Sequence, residues 1–305
     1  MSWLADATKA AGIPKVSIIS MLKKNMAGWD EARPISVVHA SDITKSTFCP
    51  RHWAFLDMTK KTPQGSFIST ALRATFDLGH KTAEVLIEDW AKDFAVGNWK
   101  CDTCGKQRTM TVQPPKWCGM AVGIGPDSNL CKWKYQEVTF VSQEYGVSGS
   151  IDVFFDLGAL KLITTELKTY AADEFDKMVA PLPEHRIRTQ LYLKLIADST
   201  SVYKDRINLH EARIFYTSRG FGRKNVEHNE ILPFREFTVQ RDDEAPDLVK
   251  ALTRAKQIKI FREEGLMPGA ICGSPADKTA KSCTTCADCF SGKYPSQQLS
   301  LAGVG

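Results

Sequence analysis

The sequence predicts an α/β fold, a mixed central sheet flanked by helices and carrying a Cys-rich insertion. Three observations carry that expectation. Residues 69–94, STALRATFDLGHKTAEVLIEDWAKDF, place Leu72, Phe76, Ala83, Leu86 and Trp90 at helical spacing. Three strand-like runs follow one another after residue 134: YQEVTFVSQEY, GVSGSIDVFFDL and LKLITTELKTY. The remaining segments continue as helix, strand, strand, helix, and elements in that order form a mixed sheet with helices packed on it.

The elements follow in chain order. Residues 1–45 read as an arm with a short helix around SIISMLKKNMAGW, then RPISVVHASDIT, where Ser41 or Asp42 caps a helix leading into FCPRHWAFL. The helix over 69–94 comes next. Residues 96–135 are rich in Gly, Pro and Cys and have no usable periodicity, as in an insertion held together by metal. In the hairpin that follows, Gly158-Ala159 form the tip. PEHRIRTQLYLKLIADS returns to helical spacing, with Ile187, Leu191, Leu195 and Ile196 on one side. HEARIFYTS and FREFTVQRD are strands, and APDLVKALTRAKQIKIFREEGL is a long amphipathic helix delivering the chain to its last cysteines. The organisation expected is 1–95 (arm and helical part), 96–135 (insertion), 136–245 (sheet core with the hairpin) and 246–305 (C-terminal helix and Cys segment).

Bulk properties bound the function. The 305 residues suffice for one large α/β domain with insertions, 43% hydrophobic and 25% charged composition is ordinary for a globular chain, and a net charge of +5 leans towards a polyanionic partner. No run of about eighteen apolar residues occurs. The start, MSWLADATKAAGIPK, has acidic Asp6 and no apolar core of a signal peptide, so a cytoplasmic protein with no membrane association is expected. In a reducing compartment clustered cysteines bind metal more often than they form disulfides. Cys101, Cys104, Cys118 and Cys131 form one group, Cys272, Cys283, Cys286 and Cys289 another, and Cys49 stands alone.

The stretch GSIDVFFDLGALKLITTELKT raises the functional question, because Asp152, Glu166 and Lys168 interrupt an apolar hairpin. Burying an unpaired charge costs several kcal/mol in practice. Glu166 and Lys168, two apart on a strand, project from one face. A two-residue turn would set Asp152 opposite Thr165, on the wrong face; a three-residue turn, or a bulge using Gly158 in a left-handed conformation, sets it opposite Glu166. The second register is expected. Two carboxylates so placed suit Mg²⁺ or Mn²⁺. Beside them Lys168 can position a water or stabilise charge on a phosphate, which points to a phosphodiester hydrolase.

GSID, followed by ELKT with its Glu fourteen positions after the Asp, resembles the core of the PD-(D/E)XK nuclease superfamily in its RecB-type branch. The resemblance implies a restriction-endonuclease-like core and covers about residues 40–290. It also implies that His80, in LGHKTAEVLIE, is a third protein ligand to the catalytic metal, with Glu84 one turn on. The branch carries Gln-x3-Tyr on the next helix; here Tyr192 fits, Arg188 stands at the Gln position and Gln190 is displaced by two. His185, Arg188 and Tyr192 share one helix face, and Arg188 could grip a phosphate or pair with Glu166. The iron-sulfur nucleases of the superfamily, AddB-type and CRISPR-adaptation enzymes among them, hold a 4Fe-4S cluster with one early and three late cysteines. Cys49, Cys272, Cys283 and Cys289 match that arrangement, with Cys286 as an alternate.

Cys101-x2-Cys104-Gly resembles a zinc-ribbon knuckle, which Cys118 and Cys131 would complete as a structural Zn²⁺ site. Together these features imply a metal-dependent DNA nuclease, an exonuclease on single strands or DNA ends, serving recombination, replication or CRISPR-like processing with protein partners of those pathways. A phage-encoded version, working in the host cytoplasm, fits the Cys-Phe ending. The alternative is a nuclease fold with weakened or lost catalysis that binds DNA or protein.

Overall fold

The structure is a computed structural model that describes residues 26, 28–29, 36–59, 67–115, 132–158, 160–220 and 233–294. Strands β1 (Gly28–Trp29) and β2 (Val38–His39) lead into helices α1 (Ala40–Ile43) and α2 (Pro50–Thr59). After β3 (Phe67–Ile68), Ser69 caps helix α3 (Thr70–Val85) by accepting from the Leu72 N–H, and a π-helical turn, Leu86–Trp90, extends it. The sheet strands are β4 (Ala95–Cys101), β5 (Gln107–Thr111), β6 (Trp133–Gln136), β7 (Val138–Ser142), β8 (Val147–Ile151), β9 (Val153–Phe155) and β10 (Leu162–Tyr170). Helices α4 (Ala172–Asp176) and α5 (Pro183–Asp198) precede strands β11 (Ile207–Ser218) and β12 (Phe234–Gln240). The long helix α6 (Pro246–Glu264) and the short α7 (Lys278–Lys281) and α8 (Cys286–Cys289) complete the described chain.

The expected mixed sheet flanked by helices is present. Seven strands are joined in the order β12-β11-β10-β9-β4-β5, with β6 also paired to β4. β10 and β11 run parallel and the other pairs antiparallel. A second sheet has the order β2-β8-β7. Val153, Phe154 and Phe155 are all buried, so helices cover both faces of the larger sheet at β9. Side-chain alternation sorts them: Phe154 joins Leu191, Leu195 and Ile196 of α5 and Leu252 of α6, while Val153 and Phe155 join Leu86, Ile87 and Trp99 on the other side.

Several boundaries differ from expectation. The run GVSGSIDVFFDL is two strands in two sheets, divided at Asp152, because the chain bends there to leave the smaller sheet for the larger. YQEVTFVSQEY likewise divides into β6 and β7. Within 96–135, β4 pairs with core strand β9, so this segment starts as part of the central sheet. Ser41 and Asp42 lie inside α1, whose N-cap is His39; Asp42 instead sits in the first turn, where a negative charge favours the helix dipole. No residue of α3 is buried: Leu72 and Phe76 stay exposed, and of the apolar set expected on this helix only Leu86, in the π turn, is buried.

The register of β9 and β10 is the one the site requires. Ile163 pairs with Phe155, Thr164 with Phe154 and Thr165 with Val153. One step further in the same register sets Glu166 opposite Asp152. Gly158 has φ of 74°, in the left-handed region that glycine tolerates without strain. The unpaired segment is longer than the three residues expected, and Ala159 lies outside the described residues.

Gly149 permits the close approach of α5 to β8. A Cβ there would stand 2.7 Å from Leu195 Cδ1 and 3.1 Å from Tyr192 ring carbons. Gly149→Ala is expected to destabilise the fold by about 1–3 kcal/mol through overpacking, read as a lower urea midpoint with an unchanged slope.

Candidate active site

The bend at Asp152 creates the site. β9 pairs with β10 only as far as Thr165, so the last residues of β10 have no β9 partner. The Leu167 N–H released there donates to Asp152 Oδ2 at 2.7 Å, which ties the carboxylate to the strand carrying Glu166 and Lys168. Lys168 Nζ lies 2.6 Å from Glu166 Oε1 and 3.6 Å from Asp152 Oδ2. From α5, Arg188 donates to the same Glu166 Oε1 at 3.1 Å. The structure thus brings together Asp152, Glu166, Lys168 and Arg188, and of the two roles open to Arg188 it shows the pairing with Glu166.

Glu166 has no solvent exposure, and its second oxygen, Oε2, is buried without a hydrogen-bond partner among the described residues. Burial alone would raise the pKa of Glu166, but Lys168 and Arg188 outweigh it and hold the carboxyl below its ordinary value. Asp152 goes the other way: burial, then the Glu166 charge, push it up to about 7. Burial would lower Lys168, yet Asp152 and Glu166 keep its ammonium more basic than an ordinary lysine. One acid is therefore held ionised by cations while the other stands at the edge of protonation.

Asp152 and Lys168 open onto a groove of about 820 Å³, walled on one side by α3 and on the other by β6 and the ends of β10 and β11. His80 lines it from α3, facing the same space as Asp152. Among the described residues no three His, Cys, Asp or Glu side chains stand together as a ready metal cage, so His80 and the two acids are neighbours across the groove, not a formed cluster. Glu84 accepts from both Lys81 and Lys134, which bring it down to about 2, and it serves to fasten α3 to β6.

The α5 residues are placed differently from expectation. Gln190 is buried with Nε2 3.4 Å from the Gln240 carbonyl of β12, on another face from Arg188, and does not reach the acids. Tyr192 is buried against Gly149; burial, then Glu166 and Asp152, keep its phenol firmly protonated. His185 is buried with Nδ1 2.8 Å from the Tyr216 hydroxyl, and burial, then Lys168, lower it to about 4, so it is neutral. None of these three, nor Arg188, lines the groove, so they support the acids from behind. Lys134, Tyr135, Glu137, Thr217 and Arg219 do line it; they lie in or next to β6 and the end of β11, and no motif in the sequence marks them.

Cys49, Cys272, Cys283, Cys286 and Cys289 surround one cavity of about 600 Å³, although Cys49 is more than two hundred residues from the others in sequence. Burial raises the Cys272 thiol, and so do Cys49, Asp277, Cys283 and Cys289; Cys289 is raised by burial and by Cys49 and Cys283, against the lowering effect of Arg51. Arg51, buried at the second position of α2, donates to the carbonyls of Pro268, Cys289 and Tyr294 and fastens the C-terminal segment to the helix that follows Cys49.

In the insertion, Cys101 closes β4 and Cys104 follows in a tight turn, where Gly105 with φ of 71° donates to the Cys101 carbonyl at 2.8 Å. The Asp102 N–H donates to the Lys132 carbonyl at 2.9 Å, so the strand entering β6 lies beside this turn. Cys118 and Cys131 lie outside the described residues.

No protein-family model matches the chain, and no curated protein matches it. Among solved structures the chain is similar to one described as "Crystal structure of SSO0001", at 13% identity and a TM-score of 0.34, over 80% of this chain and 83% of the other.

Asp152 supplies a stability test. Its folded value near 7 lies above the unfolded value of about 3.9, so the folded chain keeps a proton that the unfolded chain releases between these values. Its contribution is full at low pH and lost as pH rises through about 7. Asp152→Asn keeps an oxygen for the Leu167 N–H and removes the charge. In chelator the variant is expected to be more stable than wild type at pH 8 by about 1–3 kcal/mol, with the gap closing towards pH 4; a pH-independent gap would contradict the assignment.

Proposed function

We propose that the chain is a Mg²⁺- or Mn²⁺-dependent DNA nuclease, an exonuclease on single strands or DNA ends, with a structural 4Fe-4S cluster and a zinc knuckle. The observation that carries the reading is the buried Glu166 carboxylate, one oxygen paired to Lys168 and the other without a partner among the described residues, set behind Asp152 and Lys168, which line the groove. Oxygen donors of this kind fit a hard divalent cation. Asp152 and Glu166 would hold it, with His80 as the ligand from α3; the ion supplies Lewis-acid polarisation of a phosphate oxygen and acidifies a water.

The chain's own groups do the rest. Lys168, fixed by both acids and facing the groove, directs its ammonium to the water or to the charge that develops on the phosphate. Arg188 is a positioning residue: it holds Glu166 Oε1 and keeps that carboxyl ionised without reaching the groove. Tyr192 packs behind the site and helps fix β8 beside Asp152.

The cluster reading is supported by five thiols lining one cavity, Cys49, Cys272, Cys283 and Cys289 with Cys286 as the alternate, although among the described residues they are not drawn together into a ready metal cage. The zinc reading is supported by the Cys101-Cys104 turn with the chain after Cys131 beside it. Among the described residues no helix is long and apolar enough to cross a membrane.

End-labelled single- and double-stranded DNA, incubated with the purified protein, is expected to be degraded in Mg²⁺ or Mn²⁺ and to survive in EDTA, with Lys168→Ala slower by about 10²–10³-fold. Absence of cleavage by wild type on every DNA and RNA tried would sink the enzyme reading, and retained DNA binding would then mark a binding module. Wild type is also expected to be brown, with broad visible absorbance, and Cys49→Ser to lose the colour and unfold more readily; a colourless, iron-free wild type would refute the cluster.

A further inference from the structure

We propose that Arg219 is a phosphate-binding residue of the groove, gripping a backbone phosphate of the nucleic-acid strand beyond the one presented to Asp152 and Lys168; this rests on the nuclease reading above. Four cationic side chains line the groove: Lys81, Lys134, Lys168 and Arg219. Three are neutralised by carboxylates in contact. Lys81 pairs with Glu84, Lys134 with Glu84 and Glu88, and Lys168 with Asp152 and Glu166. Arg219 alone among them has no carboxylate partner among the described residues.

Its backbone is held firmly, while among the described residues no carboxylate takes up its charge. β10 and β11 pair in parallel up to Tyr170 with Ser218, and the Arg219 N–H then donates to the Tyr170 carbonyl at 2.7 Å. Arg219 also borders a shallow recess between α3, at Thr75 and Leu78, and the Ala171-Ala172 start of α4. A half-buried stem on a fixed backbone gives a guanidinium little conformational freedom to lose on binding a phosphate through two parallel N–H donors.

The placement also fits a strand. Lys168 pairs with Tyr216 in the parallel register, and Arg219 lies three residues further on, one past the end of β11. That separation is roughly 10 Å along the strand direction, a span that an extended nucleic acid crosses between nearby phosphates. Thr169 and Thr217, paired between the two positions and both lining the groove, add hydroxyl donors along the path. An arginine with no such role would be an ordinary solvated charge, and its removal would leave the salt dependence of binding as it was.

The test is fluorescence anisotropy of a labelled oligothymidylate with wild type, Arg219→Ala and Arg219→Lys, in EDTA so that no cleavage occurs, across a salt series. Arg219→Ala is expected to bind about tenfold more weakly at low salt and to lower the slope of log K against log salt by about 0.7; Arg219→Lys, which keeps the charge, is expected to restore the slope. In Mg²⁺ the alanine variant should raise KM by more than it lowers kcat. Equal affinity and slope for wild type and Arg219→Ala would overturn the assignment while leaving the nuclease reading in place. A wild type that binds no single strand under these conditions would overturn the Arg219 assignment, while the cleavage assay in Mg²⁺ or Mn²⁺ decides the nuclease reading separately. Arg219→Lys matching Arg219→Ala in slope, with either variant losing its urea midpoint, would show a structural role and also overturn it.

Discussion

A carboxylate with no exposure to water must be compensated, and the compensation of Glu166 organises the middle of this molecule. Breaking a buried ion pair by removing one partner typically costs 3–5 kcal/mol, about, because the other charge is left alone in a poor solvent. Glu166 draws Lys168 from its own strand and Arg188 from α5, so the helix is docked on the sheet at one defined rotation. That rotation turns Leu191, Leu195 and Ile196 into the core and places Tyr192 over Gly149. A hydrophobic replacement could bury as much surface, but it would not bring a second carboxylate within reach of the same lysine.

The second constraint is covalent order. The early segment around Cys49 and the segment from Cys272 to Cys289 are brought to one cavity, and Arg51 reinforces this by donating to three carbonyls of the C-terminal segment. A helix of four residues such as α8 cannot hold itself together in isolation, since nucleation costs more than one turn of hydrogen bonds returns. Its position depends on contacts with α2, and those begin at Arg51. Under the proposed reading, thiolate ligation at both chain ends would couple cluster binding to closure of the fold, as metal binding does wherever the ligands are assembled only in the folded chain.

The register of the hairpin was legible from the sequence because side-chain alternation permits only odd spacing between two strands that must present Asp152 and Glu166 together; a single residue of slip would have removed the site. The break at Asp152 was not. The apolar run through Val153, Phe154 and Phe155 continues without a Gly or Pro, and the bend arises from the competition of two sheets for one strand, which is a tertiary event. Strand β4 was hidden for a related reason: AVGNWKC has Gly and Asn in its interior, and it is held by partners on β9, β5 and β6 that lie far away in sequence. Helix α3 shows the opposite failure, a clear helical period whose apolar residues the described core does not cover. Gln190 was a candidate by motif distance, but a two-residue displacement on a helix is a rotation of about 200°, and the structure accordingly sends it to Gln240.

The charges of the site also explain why the acids differ so much in proton affinity. With Asp152 ionised, two negative and two positive groups cancel, and neither Lys168 nor Arg188 has a surplus with which to bind a phosphodiester. The unpartnered Oε2 of Glu166 and the weakly held proton of Asp152 leave this constellation short of one cation, not of one anion. A divalent ion would displace the proton and give the site a net positive charge, which a phosphodiester and the negative charge accumulating in its transition state can then meet. Under the proposed reading, substrate affinity and catalysis at Asp152 would depend on the same ion, whereas a cation with no carboxylate partner among the described residues, as at Arg219, would contribute to strand binding whether or not that ion is present.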